Sequence, residues 1–353
     1  MSHTNYPHES QADLPGVTYP VMRQMILTQA TAAKLQVLED SPGHLTVVTA
    51  HGLIGLRPGT SAETAGMVAA KDARWLFVMK NAVIQQMRAT MPDVARAMRW
   101  SDGDTEGSLP ANFQFVRVTN VEQLGRVFLR VTLEGEEIST HGDDAIHFRL
   151  VQPPKHAEPE WPTVAANGSI KWPDGPGAPH KPVYTTRSAD HAAGTLVTDV
   201  YLHDGGRTTE WAREAMQGNR ERNVVGLVGP SGGGLLRANK VLMATDETGF
   251  PAAARLLENL PTDATGEVLL ESEEGAACDY PITAPANIQL RWLARSSGEK
   301  IADATFEAMN RHAGSHIWFA GEKRDAKHLR DAAKSAGFDA SRLRISGFWS
   351  API

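Results

Sequence analysis

The C-terminal third of the chain alternates apolar strands with amphipathic helices, and this alternation limits the possible folds more than any other feature. Apolar runs predict five strands, in KVLMAT, GEVLLES, IQLRWLA, HIWFAGE and LRISGFW. Helical patterns lie between them, in FPAAARLLENLP, IADATFEAMNRH and KRDAKHLRDAAKSAG. Strands that alternate with helices form a parallel sheet covered by helices, so residues 238–353 are predicted to be a Rossmann-like nucleotide-binding domain.

The middle of the chain is rich in short strands, and the predicted domain spans residues 106–237. Strands are predicted in FQFVRVTNVEQLGRVFLRVTLEG, in DDAIHFRLVQPP, at Val183–Arg187 and at Thr195–His203. Thr208 or Thr209 then stands at a helix N-cap, and the free amides of such a helix start can hold an anion such as a pyrophosphate. This β-rich span fits a small Greek-key barrel.

The same residues resemble a known family, the siderophore-interacting proteins, which are FAD-dependent ferric-siderophore reductases related to the ferredoxin-reductase flavoproteins. The family's flavin motif, Arg-x-Tyr-Thr-x-Arg, is matched at Tyr184, Thr185 and Arg187, but Pro182 replaces its first arginine. Further matching motifs occur in family order, at Leu202-His203, Trp211-Ala212, Gly229-Pro230-Ser231-Gly232, Thr245–Pro261, Trp318–Glu322 and Ser346–Trp349. The resemblance covers about residues 112–350.

The resemblance implies flavin-dependent reduction of a ferric siderophore, with electrons passing from NADH or NADPH through FAD. It implies that Tyr184 flanks the flavin ring, that Thr185 bonds near its N5 atom, and that Arg187 holds phosphate charge together with the helix start. The TDETG turn would face the nicotinamide nucleotide, although its acidic residues can equally cap a helix. The predicted cofactor-binding residues are Tyr184, Thr185, Thr186, Arg187, Asp199, His203, Thr208, Thr209, Trp211, Asp246, Glu247, Thr248 and Trp349. A purely structural role is the alternative for His203.

The preferred electron donor is predicted from the second strand of the C-terminal domain. Glu271, Glu273 and Glu274 follow this strand, and residues 267–285 contain no lysine or arginine. An acidic side chain at this position binds the ribose 2′-hydroxyl of NAD, whereas NADP requires a cation for its 2′-phosphate. We therefore expect NADH to be preferred, unless cations elsewhere bind the phosphate, with Arg291, Arg295 and Lys323 as candidates.

The N-terminal part predicts a disordered arm over residues 1–24 and a small α+β module over residues 25–105. The module comprises a helix from Met25 to Glu39, a small sheet, and a longer helix that Asp72 caps and that Pro92 should end or kink. It weakly resembles a domain of unknown function that is fused ahead of some siderophore-interacting domains. A polar linker follows at Ser101–Asn112. The proline-rich segment Pro153–His180 is either a loop near the cofactor or a surface excursion.

Composition excludes several other classes of protein. A net charge of −6 without a basic cluster argues against nucleic-acid binding, and no apolar run is long enough to span a bilayer. The single cysteine, Cys278, excludes an internal disulfide and any four-cysteine metal site. His312 and His316 flank a predicted helix end, so we expect no metal site there. The N-terminus does not resemble a signal peptide, and a cytoplasmic protein is expected. The alternative to a reductase is a catalytically weak protein that binds flavin or an iron chelate.

Overall fold

The computed structural model describes residues 5–60, 63–103, 106–218 and 223–351. It divides the chain into unit 1, which is Met1–Phe113 with Pro153–Pro179, and unit 2, which is Gln114–Gln152 with His180–Ile353. Residues 1–4 of the predicted arm and residues 104–105 of the predicted linker lie outside the described residues.

The secondary structure begins with β1 (His8–Leu14), α1 (Tyr19–Ala32), β2 (Val37–Asp40), β3 (Leu45–Val48), β4 (Gly52–Pro58), β5 (Thr64–Ala70), α2 (Ala73–Thr90) and α3 (Pro92–Ala97). It continues with β6 (Phe113–Leu124), β7 (Phe128–Glu134), β8 (His147–Val151), β9 (Thr163–Val164), β10 (Ile170–Lys171), β11 (Val183–Thr185), β12 (Ser188–Asp190), β13 (Thr195–Tyr201), α4 (Arg207–Met216) and β14 (Val224–Ser231). The last elements are β15 (Lys240–Thr245), α5 (Phe250–Glu258), β16 (Thr265–Ser272), β17 (Asn287–Ala294), α6 (Ile301–Arg311), β18 (His316–Glu322), α7 (Lys323–Ser335) and β19 (Leu343–Trp349).

Unit 1 contains a five-stranded antiparallel sheet in the order β1-β5-β4-β3-β2, against which α1 and α2 pack. The prediction of a disordered arm was wrong for His8–Leu14, because this segment pairs along its whole length with β5. Every second residue of β1, namely Ser10, Ala12 and Leu14, is buried, but Ser10 is polar and Ala12 is small, so no apolar period of two is visible in the sequence.

The helices of unit 1 confirm one predicted boundary and correct another. The Asp72 carboxylate accepts a 2.8 Å hydrogen bond from the Trp75 amide, so the predicted N-cap of α2 is confirmed. The first helix starts at Tyr19 and ends at Ala32, earlier than the predicted range from Met25 to Glu39. A proline in its first turn fixes this early start, since proline favours the first helical positions.

The proline-rich segment Pro153–Pro179 groups with unit 1, which neither predicted alternative anticipated. The Asn167 side-chain amide donates a 2.8 Å hydrogen bond to the Ala95 carbonyl, and the rings of Trp161 and Phe113 lie 5.8 Å apart. The two residues that flank the segment in unit 2 pair with each other. The Gln152 amide donates to the His180 carbonyl at 2.7 Å, and the His180 amide donates to the Gln152 carbonyl at 3.0 Å.

The barrel of unit 2 is a seven-stranded antiparallel sheet in the order β11-β8-β14-β6-β7-β13-β12. Its two ends meet, because the Arg187 amide donates to the Val197 carbonyl and the Thr198 hydroxyl donates to the Thr185 carbonyl. Its core includes Trp211 of α4, which is fully buried. The predicted barrel is therefore confirmed.

The C-terminal part of unit 2 is a parallel sheet in the order β17-β16-β15-β18-β19, as the alternating pattern predicted. Chain order along this sheet reverses at β15, as in doubly wound nucleotide-binding folds. Apolar cores form on both faces of the sheet, and on one face Phe128 and Ile146 of the barrel join the core around Phe250. Among the described helices, none is both long and apolar enough to cross a membrane.

Candidate functional site

A cavity of about 510 Å³ lies in unit 2. Its wall combines barrel residues with residues at the carboxyl end of the parallel sheet, where ligands bind in doubly wound folds. Seven of the predicted cofactor-binding residues line it, namely Tyr184, Thr185, Asp199, His203, Glu247, Thr248 and Trp349. Residues from three separate sequence motifs thus meet at one place.

Tyr184 and Thr185 reach the cavity from β11, which pairs with β8 so that Thr185 lies opposite His147. The Thr185 hydroxyl lies 3.3 Å from Nδ1 of His147. Burial, together with the positive charge of Arg344, lowers the pKa of His147 to about 4. Burial raises the pKa of Tyr184 to about 12. At neutral pH the cavity therefore presents an uncharged imidazole and a protonated phenol.

The N-terminus of α4 supplies free backbone amides beside polar side chains, since Gly206 at its N-cap offers no side-chain cap. Thr208 donates a 3.3 Å hydrogen bond to Oε1 of Gln152, while Nε2 of Gln152 is buried without a partner among the described residues. Burial lowers the pKa of the nearby His180, and the charges of Arg207 and Lys181 lower it further. A helix start next to two cations and an unused amide donor is suited to an anion.

Besides Asp246, five other predicted residues lie outside the cavity wall. Arg187 forms an ion pair with Glu258 of α5, with Nη1 2.7 Å from Oε2. Trp211 is fully buried in the barrel core, and Thr186 is buried with a hydroxyl that has no partner among the described residues. Thr208 and Thr209 are buried at the start of α4. Cofactor contacts by these five residues therefore stay predictions.

Asp199 is held in the cavity wall by two other side chains. Arg130 donates to both of its carboxylate oxygens, at 2.8 and 2.9 Å, and the Tyr280 hydroxyl donates to Oδ2 at 2.7 Å. Burial raises the pKa of Tyr280, and the neighbouring Asp199 charge raises it further. Because its oxygens are engaged within the protein, Asp199 positions the barrel wall against the segment that carries Tyr280.

The TDETG turn after β15 is held by side-chain hydrogen bonds. Oδ1 of Asp246 accepts from the Thr248 amide at 2.9 Å, which caps the turn, and Oδ2 accepts from Nε1 of Trp349 at 2.7 Å. Burial raises the pKa of Asp246, whereas the donors Thr248 and Trp349 act in the opposite direction. Asp246 itself does not line the cavity, so its predicted cofactor contact stays a prediction.

Three carboxylates surround Arg295 beside the same turn. Its guanidinium contacts Glu247 at 2.5 Å, Glu273 at 3.1 Å and Glu271 at 3.4 Å. Arg291, another candidate for binding a 2′-phosphate, forms an ion pair with Glu299. The carboxyl end of β16 therefore carries more negative than positive charge.

The sequence interpretation missed His147, Arg344 and Phe348, all of which line the cavity. The Arg344 guanidinium has no hydrogen-bond or ion-pair partner within the described part of the chain, and burial lowers its pKa. The Phe348 ring contacts that of His147 edge-on, with centroids 5.4 Å apart. The sequence did contain a signal for two of these residues. Residues 344, 346 and 348 alternate along one strand, so their side chains share a face, and that face also carries the matched motif residue Ser346.

The comparisons with known proteins match most of the chain after residue 116. The siderophore-interacting FAD-binding domain model matches residues 117–234, and the siderophore-interacting protein model matches residues 238–352. The NADPH-dependent ferric-chelate reductase of Escherichia coli is 30% identical over 252 residues, which are 68% of this chain and 93% of that protein. The ferric vibriobactin reductase ViuB of Vibrio cholerae is 28% identical over 204 residues, 56% of this chain and 70% of that protein. The crystal structure of SipS from Aeromonas hydrophila has a TM-score of 0.55 and 22% identity, covering 69% of this chain and 93% of that one.

Proposed function

The chain belongs to the siderophore-interacting proteins, and from this we propose that it reduces the iron of a ferric siderophore with electrons from NADH or NADPH passed through FAD. The observation that carries the proposal is the cavity of about 510 Å³ between the Tyr184 strand of the barrel and the aromatic end of β19. In this arrangement, one cavity brings a flavin-motif strand to the ligand-binding edge of a parallel sheet. Because the donors are cytoplasmic metabolites, we expect the reaction to take place in the cytoplasm.

The residues of unit 2 fit FAD. The start of α4, with the unused Nε2 of Gln152 and the cations Lys181 and Arg207 nearby, suits the pyrophosphate. Tyr184 and Thr185 offer an aromatic face and a hydroxyl to a planar ring. When bound, FAD supplies hydride acceptance and the transfer of single electrons.

The protein's own residues orient the reactants and control charge in the cavity. His147 is uncharged at neutral pH, so Arg344 contributes the cationic charge next to it. A guanidinium without a carboxylate partner can hold an anionic oxygen of the cofactor or of a ferric chelate. Phe348 and Trp349 line the cavity from β19 and add aromatic surface to its wall.

Iron enters this scheme as the metal of the substrate. Siderophore oxygens are hard ligands that hold Fe(III) more tightly than Fe(II), so reduction promotes release of the metal. Across the described residues, no group of three or more His, Cys, Asp or Glu side chains is placed to hold a metal ion. The protein therefore needs to contact only the outside of the chelate.

An anaerobic experiment tests the proposal. Protein loaded with FAD is mixed with NADH or NADPH, and loss of the oxidised flavin absorbance is followed. A ferric siderophore and a chromogenic Fe(II) chelator are then added. Capture of several equivalents of Fe(II) per protein molecule would support the reductase function. Stable flavin or chelate binding without turnover would instead favour the alternative of a catalytically weak binding protein.

Chelate charge tests the role of Arg344 in the same assay. For Arg344→Gln we expect KM to rise about tenfold for a trianionic tris-catecholate complex, as loss of a charge-assisted hydrogen bond predicts. KM for a neutral tris-hydroxamate complex should change much less. Equal changes for both chelates would show that Arg344 does not bind the substrate charge.

A further inference from the structure

Unit 1 contains a second cavity, of about 330 Å³, between α1, α2 and the sheet. This volume lies within the range of small-molecule sites in proteins. None of its described lining residues is Asp, Glu, Lys or Arg, and six of them are methionines, namely Met22, Met25, Met67, Met79, Met87 and Met98. Methionine side chains are flexible and polarisable, so such a wall adapts to apolar ligands of different shapes.

Two glycines within strands form part of the cavity wall. Gly55 lies on β4 and Gly66 on the neighbouring β5. A glycine inside a strand weakens the strand, and it often marks a place where a ligand or another backbone comes close. At Gly66 a Cβ would lie 2.9 Å from Cδ1 of Leu14, so a side chain at this point in the wall would displace that methyl group.

Trp100 gives the cavity one unused polar group. It lines the cavity with 8% of its surface exposed, and its indole Nε1–H is buried without a partner among the described residues. The ring is fixed in place, because the Lys80 ammonium lies 5.6 Å from its centroid and is itself 2.7 Å from the Asp102 carboxylate. An unpaired buried donor costs about 1–3 kcal/mol, which an acceptor oxygen of a ligand would offset.

We propose that unit 1 is a binding domain for an uncharged, mainly apolar small molecule whose carbonyl oxygen accepts a hydrogen bond from Trp100. A charged ligand is disfavoured because none of the described lining residues is Asp, Glu, Lys or Arg. Ala82 and Gln86 of α2 line the cavity and are exposed, and they form its mouth. The two family models match only residues 117–234 and 238–352, so the residues that line this cavity all lie outside them, and the proposal stands or fails independently of the flavin site.

Fluorescence titration of the full-length protein saturated with FAD tests this site. The probe is prodan, an uncharged naphthalene ketone whose emission shifts to the blue in apolar surroundings. We expect saturable one-to-one binding. Ala82→Trp should obstruct the mouth and weaken binding at least tenfold. Gln85→Trp places the same side chain on α2 at an exposed position outside the cavity and should leave the Kd unchanged.

The hydrogen bond is tested separately with Trp100→Phe, which keeps an aromatic ring and removes the N–H. It should raise the Kd for prodan about two- to tenfold, as the loss of one hydrogen bond predicts. The Kd for N-phenyl-1-naphthylamine, an uncharged probe without a carbonyl, should not change. No saturable blue shift, or equal binding by Ala82→Trp and Gln85→Trp, would overturn the site. An unchanged Kd for prodan in folded Trp100→Phe would overturn the role of the carbonyl.

Discussion

The indole Nε1–H of Trp349 donates a 2.7 Å hydrogen bond to Oδ2 of Asp246. This bond joins the end of β19 to the turn after β15, on either side of β18 in the sheet. Asp246 is buried, and burial raises its pKa. The donors Trp349 and Thr248 counteract this effect, so the ionised carboxylate depends on them.

Removal of the Trp349 donor should destabilise unit 2. We expect Trp349→Phe to lower the free energy of unfolding at pH 7 by about 1.5–3 kcal/mol, because a hydrogen bond to a charged group is lost. Urea denaturation measures the change. A double-mutant cycle with Asp246→Asn provides the control and should show a coupling of at least about 1 kcal/mol. Additive effects of the two substitutions would show that the bond contributes nothing.

His147 should make stability depend on pH below neutrality. Its pKa is lowered to about 4 in the folded protein, so the unfolded chain binds a proton first as the pH falls. Stability contributed by the neutral imidazole is complete above about pH 6.5 and is lost as the pH falls to about 4, by up to about 3 kcal/mol. Flavin-free wild type and His147→Gln are compared by urea denaturation between these pH values. The free energy of unfolding of His147→Gln should depend less on pH than that of the wild type. The same pH dependence in both proteins would contradict the lowered pKa of His147.

Pro182→Arg should tighten FAD binding, because it restores the arginine of the flavin motif at a position on the cavity wall. A charge-assisted hydrogen bond to a phosphate corresponds to a tenfold to hundredfold lower Kd, or about 1.5–3 kcal/mol. Quenching of flavin fluorescence gives the Kd. Val224→Arg adds the same charge at an exposed barrel position outside the cavity and should have no effect. An unchanged Kd for Pro182→Arg would indicate that Lys181 or Arg187 already binds the phosphates.

NADH should be preferred over NADPH by about tenfold in kcat/KM, equivalent to about 1.4 kcal/mol. The reason is the excess of carboxylates around Arg295, which opposes a 2′-phosphate. The test is to measure kcat/KM for NADH and for NADPH in steady-state reduction of a ferric siderophore. Glu271→Gln with Glu273→Gln should narrow the preference, because two of the three carboxylates around Arg295 lose their charge. A higher kcat/KM for NADPH in the wild type would refute the prediction and direct attention to Lys323.

The parts of the fold that could be predicted from the sequence are those that a local pattern of residues specifies. Buried parallel strands such as β15 and β18 are continuous apolar runs, and Asp72 caps a helix through the next few residues. Strand β1 was missed because two of its three buried residues, Ser10 and Ala12, are not large apolar residues. The partner of Arg187 is Glu258, 71 positions away, and His147 meets Arg344 only after the barrel packs on the sheet. Such long-range pairs have no local signature.

Deletion of unit 1 should leave FAD binding within about twofold of the wild type, since the flavin cavity is lined by residues of unit 2 alone. The truncated protein must lose Met1–Phe113 and have Pro153–Pro179 replaced by a short Gly-Ser linker. The segment can be replaced because it belongs to unit 1. A short linker suffices because Gln152 and His180, which flank the segment, pair with each other. Isothermal titration with FAD provides the measurement. A folded truncated protein that cannot bind FAD would contradict the assignment of the cofactor site to unit 2.

The chain passes between the two units three times, after Phe113, after Gln152 and after Pro179. A protease that cuts at one crossing therefore leaves the units covalently joined through the others. After cleavage at Phe113 alone, Pro153–Pro179 would still be part of the chain that forms unit 2. Its Asn167 amide would still donate a hydrogen bond to Ala95 and so hold the cleaved N-terminal fragment in place. Limited proteolysis should thus nick this protein without dissociating it, and its two parts would separate only under denaturing conditions.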